Sequence, residues 1–143
     1  YLAAEDVLRR EAGRRVVILL TDGDDTTSVY NSAAAIERAW RSETVIYCIG
    51  IGNRNYNPVN TGALDKLAKE TGGRVFVPDS IAELDKAFVE IENDLRQQYV
   101  LSYEPSNTAL DGTFRKIEVR VVPNETRKDL RVRHRRGYYA PQG

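Results

Sequence analysis

The chain has 143 residues, the size of one domain, and carries 21 basic against 21 acidic side chains. This balance provides no general field for nucleic acid or an anionic membrane, and no apolar run approaches the roughly 20 residues that span a bilayer. We therefore expect no nucleic-acid partner and no membrane insertion. The single cysteine, Cys48, excludes an intrachain disulfide, and its apolar neighbours predict a buried thiol.

The first two thirds of the chain alternate helical and apolar extended patterns. Strands without polar residues are typical of a parallel sheet that is buried on both faces, and short strand–helix–strand spacing implies right-handed crossovers. We expect an α/β fold, a Rossmann-like three-layer αβα arrangement with a partial parallel sheet. The predicted elements are a helix over 2–12, a strand over 15–21, a helix over 31–41, a strand over 44–51, a helix over 62–71, a strand over 74–77 and a helix that begins at the Ser80–Glu83 capping box.

After the last predicted helix, apolar and polar residues alternate along the sequence. We expect three half-exposed strands that form a C-terminal antiparallel β meander, over 99–103, 114–121 and 130–135. The chain is therefore divided into residues 1–97, the α/β part, and residues 98–143, a β extension packed on it. Because the chain begins at Tyr1 and its first residues already have a helical pattern, it reads as part of a longer protein.

The C-terminal segment is basic and contains the only histidine, His134. We expect His134 to be packed and hydrogen-bonded, because no partner nucleophile is suggested, and Tyr138 and Tyr139 to fix the tail in a groove. Three arginines on one strand face are expected to be solvated, with pairing to an acidic surface of another domain or chain as the alternative. They are Arg131, Arg133 and Arg135.

Three carboxylates, Asp22, Asp24 and Asp25, directly follow the apolar strand over 15–21. Ligands bind at the carboxyl ends of strands in open parallel sheets, and clustered carboxylate oxygens suit Mg²⁺, Mn²⁺ or Ca²⁺. The segment is therefore a candidate metal site. The alternative is an acidic turn in which Asp24 or Asp25 caps the following helix.

An enzymatic interpretation of the same segment remains open. Asp22-x-Asp24-x-Thr26 fits the pattern of haloacid-dehalogenase-type phosphotransferases, in which the first carboxylate is the nucleophile and the second the acid/base beside Mg²⁺. That Mg-dependent phosphatase chemistry also needs a lysine and an acidic pair at another strand end. The residues that could supply these parts are Lys66, Lys69, Asp79 and Asp85.

An ordered set of motifs resembles the von Willebrand factor A (VWA) family, and in particular its acidobacterial-type branch. The resemblance covers essentially the whole chain. Its motifs are Thr21-Asp22-Gly23 after an apolar strand, Ile49-Gly50-Ile51-Gly52 at the end of the next strand, Thr71-Gly72-Gly73-Arg74, Leu95-Arg96-Gln97-Gln98-Tyr99, Tyr103-Glu104-Pro105-Ser106-Asn107, Asp111-Gly112 with Phe114-Arg115, and Arg136-Gly137-Tyr138-Tyr139.

The resemblance implies a non-enzymatic domain for protein recognition and adhesion, with a metal-ion-dependent adhesion site (MIDAS) that holds Mg²⁺ or Mn²⁺. Of the family's three ligand loops only the Thr-Asp-Gly aspartate has a counterpart, Asp22, with Asp24 and Asp25 as possible outer-shell groups. Because no Asp-x-Ser-x-Ser segment occurs in the sequence, we expect the site to be incomplete and this chain to bind no cation tightly.

The resemblance further implies that the chain is the C-terminal half of such a domain, that its partner is an unknown protein ligand, and that its location is extracytoplasmic. In the family another strand lies beside the counterpart of the strand over 15–21. We therefore expect this strand to expose an unpaired edge here, and the chain to form a homo-oligomer through that edge.

Overall fold

The computed structural model describes residues 13–21, 31–52, 59, 61–122, 130 and 132–143. The predicted helix over 2–12 and the acids Asp22, Asp24 and Asp25 lie outside these residues. The described elements are β1 (Arg15–Thr21), α1 (Ser32–Arg41), β2 (Thr44–Gly50), α2 (Thr61–Thr71), β3 (Val75–Phe76), α3 (Ile81–Arg96), β4 (Phe114–Lys116) and β5 (Gly137–Tyr139).

The first three strands form a parallel sheet in the order β1-β2-β3. β1 and β2 are in register along their whole length, from Arg15 opposite Thr44 to Thr21 opposite Gly50, and β3 continues the sheet on the other side of β2. The predicted α/β class and the parallel strands are confirmed. β2 lies at the centre, which explains why its sequence contains no solvent-facing polar alternation.

Two apolar clusters pack on opposite faces of this sheet and define three layers. On one face Cys48 packs with α1 and α2 through Ala39 and Leu64. On the other face Tyr47 and Ile49 pack against Ile91 of α3. Successive residues of a strand point to opposite faces, so each strand of the sheet contributes to both layers.

Local chemistry explains where the helices begin and end. Asn31 caps α1, since its Oδ1 accepts the Ala34 N–H at 2.9 Å, and Ser80 Oγ caps α3 by accepting the Glu83 N–H at 3.2 Å. The Glu83 carboxylate reaches one residue further back than in a standard capping box and accepts the Asp79 N–H at 2.8 Å. α2 ends at Gly72, whose φ of +91° is the left-handed conformation that glycine adopts at helix ends.

The C-terminal residues form one long antiparallel hairpin rather than a three-stranded meander. β4 pairs with β5, and the same register extends from a bridge between Asp111 and Gln142 to the Ile117 N–H, which donates to Arg136 O at 2.8 Å. A small antiparallel sheet is therefore present as expected. The strand that pairs with β4 was predicted too early in the chain, at 130–135, whereas the observed partner is β5 at Gly137–Tyr139.

The remaining part of the meander prediction is wrong within the described residues. The segment over 99–103 does not form a strand, and its side chains are exposed, Tyr99 to 91%. Near the far end of the hairpin the His134 Nε2 accepts the Val119 N–H at 3.4 Å. A side chain there accepts the hydrogen bond that a backbone carbonyl would accept in a regular ladder. The residues around Val119 and His134 therefore do not form a regular strand pair, although their sequences alternate.

Candidate functional site

The candidate site lies at the carboxyl end of the parallel sheet. Thr21, the last residue of β1, accepts the Ile51 N–H on its carbonyl oxygen at 2.8 Å, so the chain leaves β1 beside the exit of β2. Val59 closes this edge from the α2 side, because a Cβ at Gly50 would meet the Val59 side chain at 2.6 Å. Glycine at the end of β2 thus permits the close approach.

The acidic residues predicted as metal ligands follow Thr21 directly in the sequence. Asp22, Asp24 and Asp25 lie outside the described residues, so the donor set at this edge is a prediction from sequence. Within the described ranges there is no group of three or more His, Cys, Asp or Glu side chains that could hold a metal ion. The described exit of β2, Ile51-Gly52, offers only backbone groups.

The alternative role of Asp24 or Asp25 as the cap of the following helix is contradicted. The N-cap of α1 is Asn31, with φ −76° and ψ 168° and its side chain bonded to the Ala34 N–H. Five residues of chain separate Asp25 from that cap. Asp24 and Asp25 therefore do not cap α1, and helix capping does not explain why these acids occur in the sequence.

The groups that the phosphatase interpretation requires are spread over both faces of the sheet. Lys66 and Lys69 lie on the exposed side of α2, and Asp85 is exposed on α3, across the sheet from them. Asp79 precedes α3 and its backbone N–H bonds to Glu83. Lysines and acids held on opposite layers do not form one catalytic pocket, so the described residues provide no support for this chemistry.

The single cysteine and the single histidine are structural, as predicted. Cys48 is fully buried in the α1/α2 layer, and burial raises the pKa of its thiol to about 11. His134 Nδ1 lies 2.7 Å from the carbonyl oxygen of Arg135, while Nε2 accepts the Val119 N–H. Both ring nitrogens therefore have hydrogen-bond partners within the extension, which is a structural role.

Two arginines of the tail form ion pairs while remaining exposed to solvent. Arg133 Nη2 donates to Asp94 Oδ1 at 2.7 Å, and Arg135 Nη1 donates to Glu43 Oε1 at 2.6 Å; Arg131 is outside the described residues. Both side chains also remain exposed to solvent, Arg133 to 43% and Arg135 to 36%, so the expected exposure is present and the ion pairs are the feature that the sequence did not predict. Their acidic partners belong to the α/β part of the same chain, so the pairs fasten the extension to it.

Asp94 is a polar centre that the sequence pattern did not reveal. Besides Arg133, its carboxylate accepts from Arg74 Nη1 at 3.4 Å, and Tyr47 lies close enough for the charge of Asp94 to act on it. Burial raises the pKa of Tyr47, and a hydrogen bond with Gln98 opposes this. The one usable sequence signal was an acid at a helical position next to the apolar stripe of α3.

The tail is fixed by aromatic rings, as predicted for Tyr139. The ring centroids of Phe114 and Trp40 lie 4.5 Å apart, those of Phe114 and Tyr139 lie 5.3 Å apart, and the Arg41 guanidinium lies 3.9 Å from the Tyr139 centroid. Trp40 Nε1 also donates to Glu70 O at 2.8 Å. The sheet of the extension is thus anchored to α1 and to the end of α2.

The parallel sheet and the helices on both of its faces define a Rossmann-like α/β module. Residues 1–90 match the von Willebrand factor type A domain model. The match covers more than half of the chain, which therefore belongs to this family.

The proteins similar to the chain include two curated relatives. Inter-alpha-trypsin inhibitor heavy chain H4 of Bos taurus is 31% identical over 123 residues, which are 79% of this chain and 13% of the relative. Integrin alpha-M of Mus musculus is 28% identical over 106 residues, which are 73% of this chain and 9% of the relative. The chain therefore spans a small part of the length of either.

A solved structure similar to the chain is that of an uncharacterised membrane-spanning protein from Vibrio fischeri. It superimposes with a TM-score of 0.51 at 29% identity, over 57% of this chain and 47% of that one. In the ranges described for the present chain, no helix is long and apolar enough to cross a membrane.

Proposed function

We propose that the chain is part of a non-enzymatic domain that recognises a protein ligand through a divalent cation, Mg²⁺ or Mn²⁺, at a MIDAS-type site. The observation that carries the proposal is the exit of β1. The Thr21–Ile51 hydrogen bond holds the last residue of this strand at the carboxyl edge of the sheet, and Asp22 is the next residue in the sequence. Membership of the VWA family supports the same role for the Thr-Asp-Gly aspartate.

In this proposal Asp22 is a cation ligand and Asp24 and Asp25 are outer-shell groups, and a carboxylate of the protein partner completes the coordination. A hard cation needs about six oxygen ligands in fixed geometry, and the sequence contains no Asp-x-Ser-x-Ser segment to supply the others. The site is therefore incomplete in these 143 residues, and we infer that they bind the cation weakly or not at all without the rest of the domain.

Two further properties belong to the proposal. Residues 1–97 form the C-terminal half of the VWA-like domain and residues 98–143 a β extension, and the protein works in an extracytoplasmic location; membership of the VWA family is the support for this location. A second copy of the chain binds at the edge of β1, which gives a homo-oligomer. Support for this last point is the position of β1 at the end of the described strand order.

Calorimetric titration with MgCl₂ and MnCl₂ tests the metal proposal. The 143-residue chain should show no binding tighter than millimolar, while a polypeptide extended upstream to include an Asp-x-Ser-x-Ser loop should bind, and Asp22→Asn should abolish that binding. Asp25→Asn is the matched control and should weaken it only slightly. Micromolar binding by the 143-residue chain alone, or unchanged binding by the Asp22→Asn variant of the longer one, would contradict the proposal.

A further inference from the structure

We propose that ionic strength detaches residues 132–136, which we call the arm, from the α/β part of the chain while β4 and β5 stay in place. The arm contacts the amino edge of the parallel sheet, through Glu43, Glu70 and Asp94 near the ends of the three helices. The candidate cation site lies at the opposite, carboxyl edge, so the arm and its release do not depend on the proposed function.

Charged side chains hold the arm. Arg133 Nη2 donates to Asp94 Oδ1 at 2.7 Å at the end of α3, and Arg135 Nη1 donates to Glu43 Oε1 at 2.6 Å in the turn before β2. Both arginines remain exposed to solvent. Salt weakens ion pairs between exposed groups, because the Debye length falls to about 3 Å at 1 M. Two attachments of the arm therefore respond to ionic strength.

The other contacts of the arm are made by its backbone. The Arg136 N–H donates to Glu70 O at 3.1 Å, and a Cβ at Gly72 would lie 2.9 Å from the backbone nitrogen of Arg135. The apolar side chain in the arm, Val132, is 39% exposed. Once salt screens the ion pairs, the contacts of the arm with α2 are thus one hydrogen bond and a close approach at a glycine, with little apolar burial to retain them.

The β4–β5 sheet is attached by different chemistry. Phe114 packs on Trp40 with ring centroids 4.5 Å apart and on Tyr139 at 5.3 Å, and Ala140 is buried beside them in the sequence. Burial of apolar surface does not depend on Coulombic attraction, so salt does not screen it. The sheet should therefore remain on α1 at a salt concentration that releases the arm.

The two attachments meet at a single carbonyl oxygen, that of Glu70. It accepts the Trp40 Nε1–H at 2.8 Å from the side of the sheet and the Arg136 N–H at 3.1 Å from the side of the arm. Arg136 O also accepts the Ile117 N–H at 2.8 Å, which keeps this residue in the hairpin. The arm should therefore turn away at Arg136, which uncovers Gly72 and leaves the Trp40 hydrogen bond intact.

Hydrogen exchange followed by NMR on the 143-residue chain, at about 20 mM and about 1 M NaCl, tests the proposal. The protection factor of the Arg136 N–H should fall about tenfold in high salt. The Trp40 indole N–H, and the Ala140 N–H that donates to Thr113 O at 2.9 Å, should keep theirs. An unchanged Arg136 protection factor would overturn the proposal, and an equal fall at all three groups would show general destabilisation instead of a separate arm.

Arg133→Gln tests the ion pairs. The variant removes one pair of the arm and leaves Asp94 paired with Arg74, so Arg136 should exchange faster in low salt and respond less to added salt. Arg96→Gln is the matched control, because Arg96 pairs with Glu92 within α3 at 2.7 Å; it should behave as the wild type. Wild-type protection and salt response in Arg133→Gln would contradict the role of the charges.

Gly72→Ala tests the close approach of the arm without changing a charge. Its methyl group would enter the space of the Arg135 backbone, so the Arg136 N–H should exchange fast at both salt concentrations. Gly13→Ala is the control, since its φ of +95° is close to the +91° of Gly72 but no atom lies within 4 Å of the added Cβ. Equal Arg136 protection in the two variants would show that the arm does not rest on Gly72 and would overturn the proposal.

Discussion

The backbone N–H of Ile46 donates to the side-chain hydroxyl of Thr71 at 3.1 Å, inside the core. β2 needs this contact because β3 is only two residues long and pairs with Cys48 and Ile49, which leaves the earlier part of β2 without a strand on that side. Thr71, the last residue of α2, donates its own proton to Leu67 O at 3.0 Å. A helix terminus thus completes the hydrogen bonding of the central strand.

Replacing Thr71 by valine should destabilise the protein by about 1–3 kcal/mol, because a buried N–H loses its acceptor while the side-chain shape is kept. Thr71→Ser keeps the hydroxyl and removes one methyl group, for a cost of about 1 kcal/mol. Urea unfolding of both variants provides the comparison. Equal stabilities, or a serine variant less stable than the valine one, would show that the hydroxyl is not the important group.

Gly73 should tolerate no side chain. A Cβ at this position would lie 1.9 Å from the carbonyl oxygen of Ile46, so β2 and the end of α2 must separate, and Gly73→Ala should cost about 3 kcal/mol in unfolding free energy. Gly13→Ala is the control: its φ is +95° but no atom lies within 4 Å, so only backbone strain of about 1 kcal/mol applies. Thermal unfolding of the two variants measures the difference, and a Gly73→Ala variant as stable as Gly13→Ala would contradict the close approach.

The α/β part of the fold could be predicted because its determinants are local. The apolar run that ends at Thr21, the capping serine at Ser80 and the glycine at Gly72 each fix an element boundary through the chemistry of neighbouring residues. The predicted bounds accordingly differ from the observed ones by one or two residues, as for the strand predicted over 44–51 and observed over Thr44–Gly50.

The extension was harder to predict because its contacts join residues far apart in sequence. Nothing near Arg133 indicates that Asp94 is its partner, and alternation at 130–135 gave the wrong strand because it cannot show that His134 bonds to Val119 through its ring. The candidate site could be predicted only in part. The strand end before Asp22 is a local feature, whereas the remaining ligands of a cation cannot be derived from a sequence that lacks their motif.

The aromatic anchor of the extension should be visible in the fluorescence of Trp40, the only tryptophan. Phe114→Leu keeps an apolar side chain against the indole but removes the ring pair, which should cost about 0.5–1.5 kcal/mol and change the emission of the folded protein. Tyr99→Leu removes an aromatic ring that is 91% exposed and should alter neither stability nor emission. Emission unchanged by Phe114→Leu would contradict the packing of these rings.

The phosphatase alternative predicts turnover that the proposed function does not. We expect hydrolysis of p-nitrophenyl phosphate at the background rate with Mg²⁺ present, and no difference between the wild type and Asp22→Asn, because the described lysines and acids occupy opposite layers of the sheet. Lys66→Ala and Asp85→Ala should be equally silent. Mg²⁺-dependent hydrolysis that is lost in Asp22→Asn would establish the enzymatic interpretation and overturn the recognition proposal.

Asp111 should make the stability of the hairpin depend on pH in the acid range. Hydrogen bonds from the backbone and hydroxyl of Thr113, followed by Arg115, lower the pKa of Asp111 to about 2, below the value of about 4 for an unfolded chain. Because the folded pKa is the lower one, the stabilising contribution is complete above about pH 4 and is lost as the pH falls toward 2.

Asp111→Asn should therefore reduce the change in unfolding free energy between pH 5 and pH 2. The change will not vanish, because Arg120 also lowers the pKa of Glu118; Glu118→Gln added to Asp111→Asn should flatten it further. Observing the Asp111 carboxyl carbon by NMR gives a direct check, with a titration midpoint expected near pH 2. A midpoint near pH 4 would mean that the hydrogen bonds of Thr113 and Arg115 to this carboxylate do not persist in solution, and the end of the hairpin at Asp111 and Gln142 would then be open.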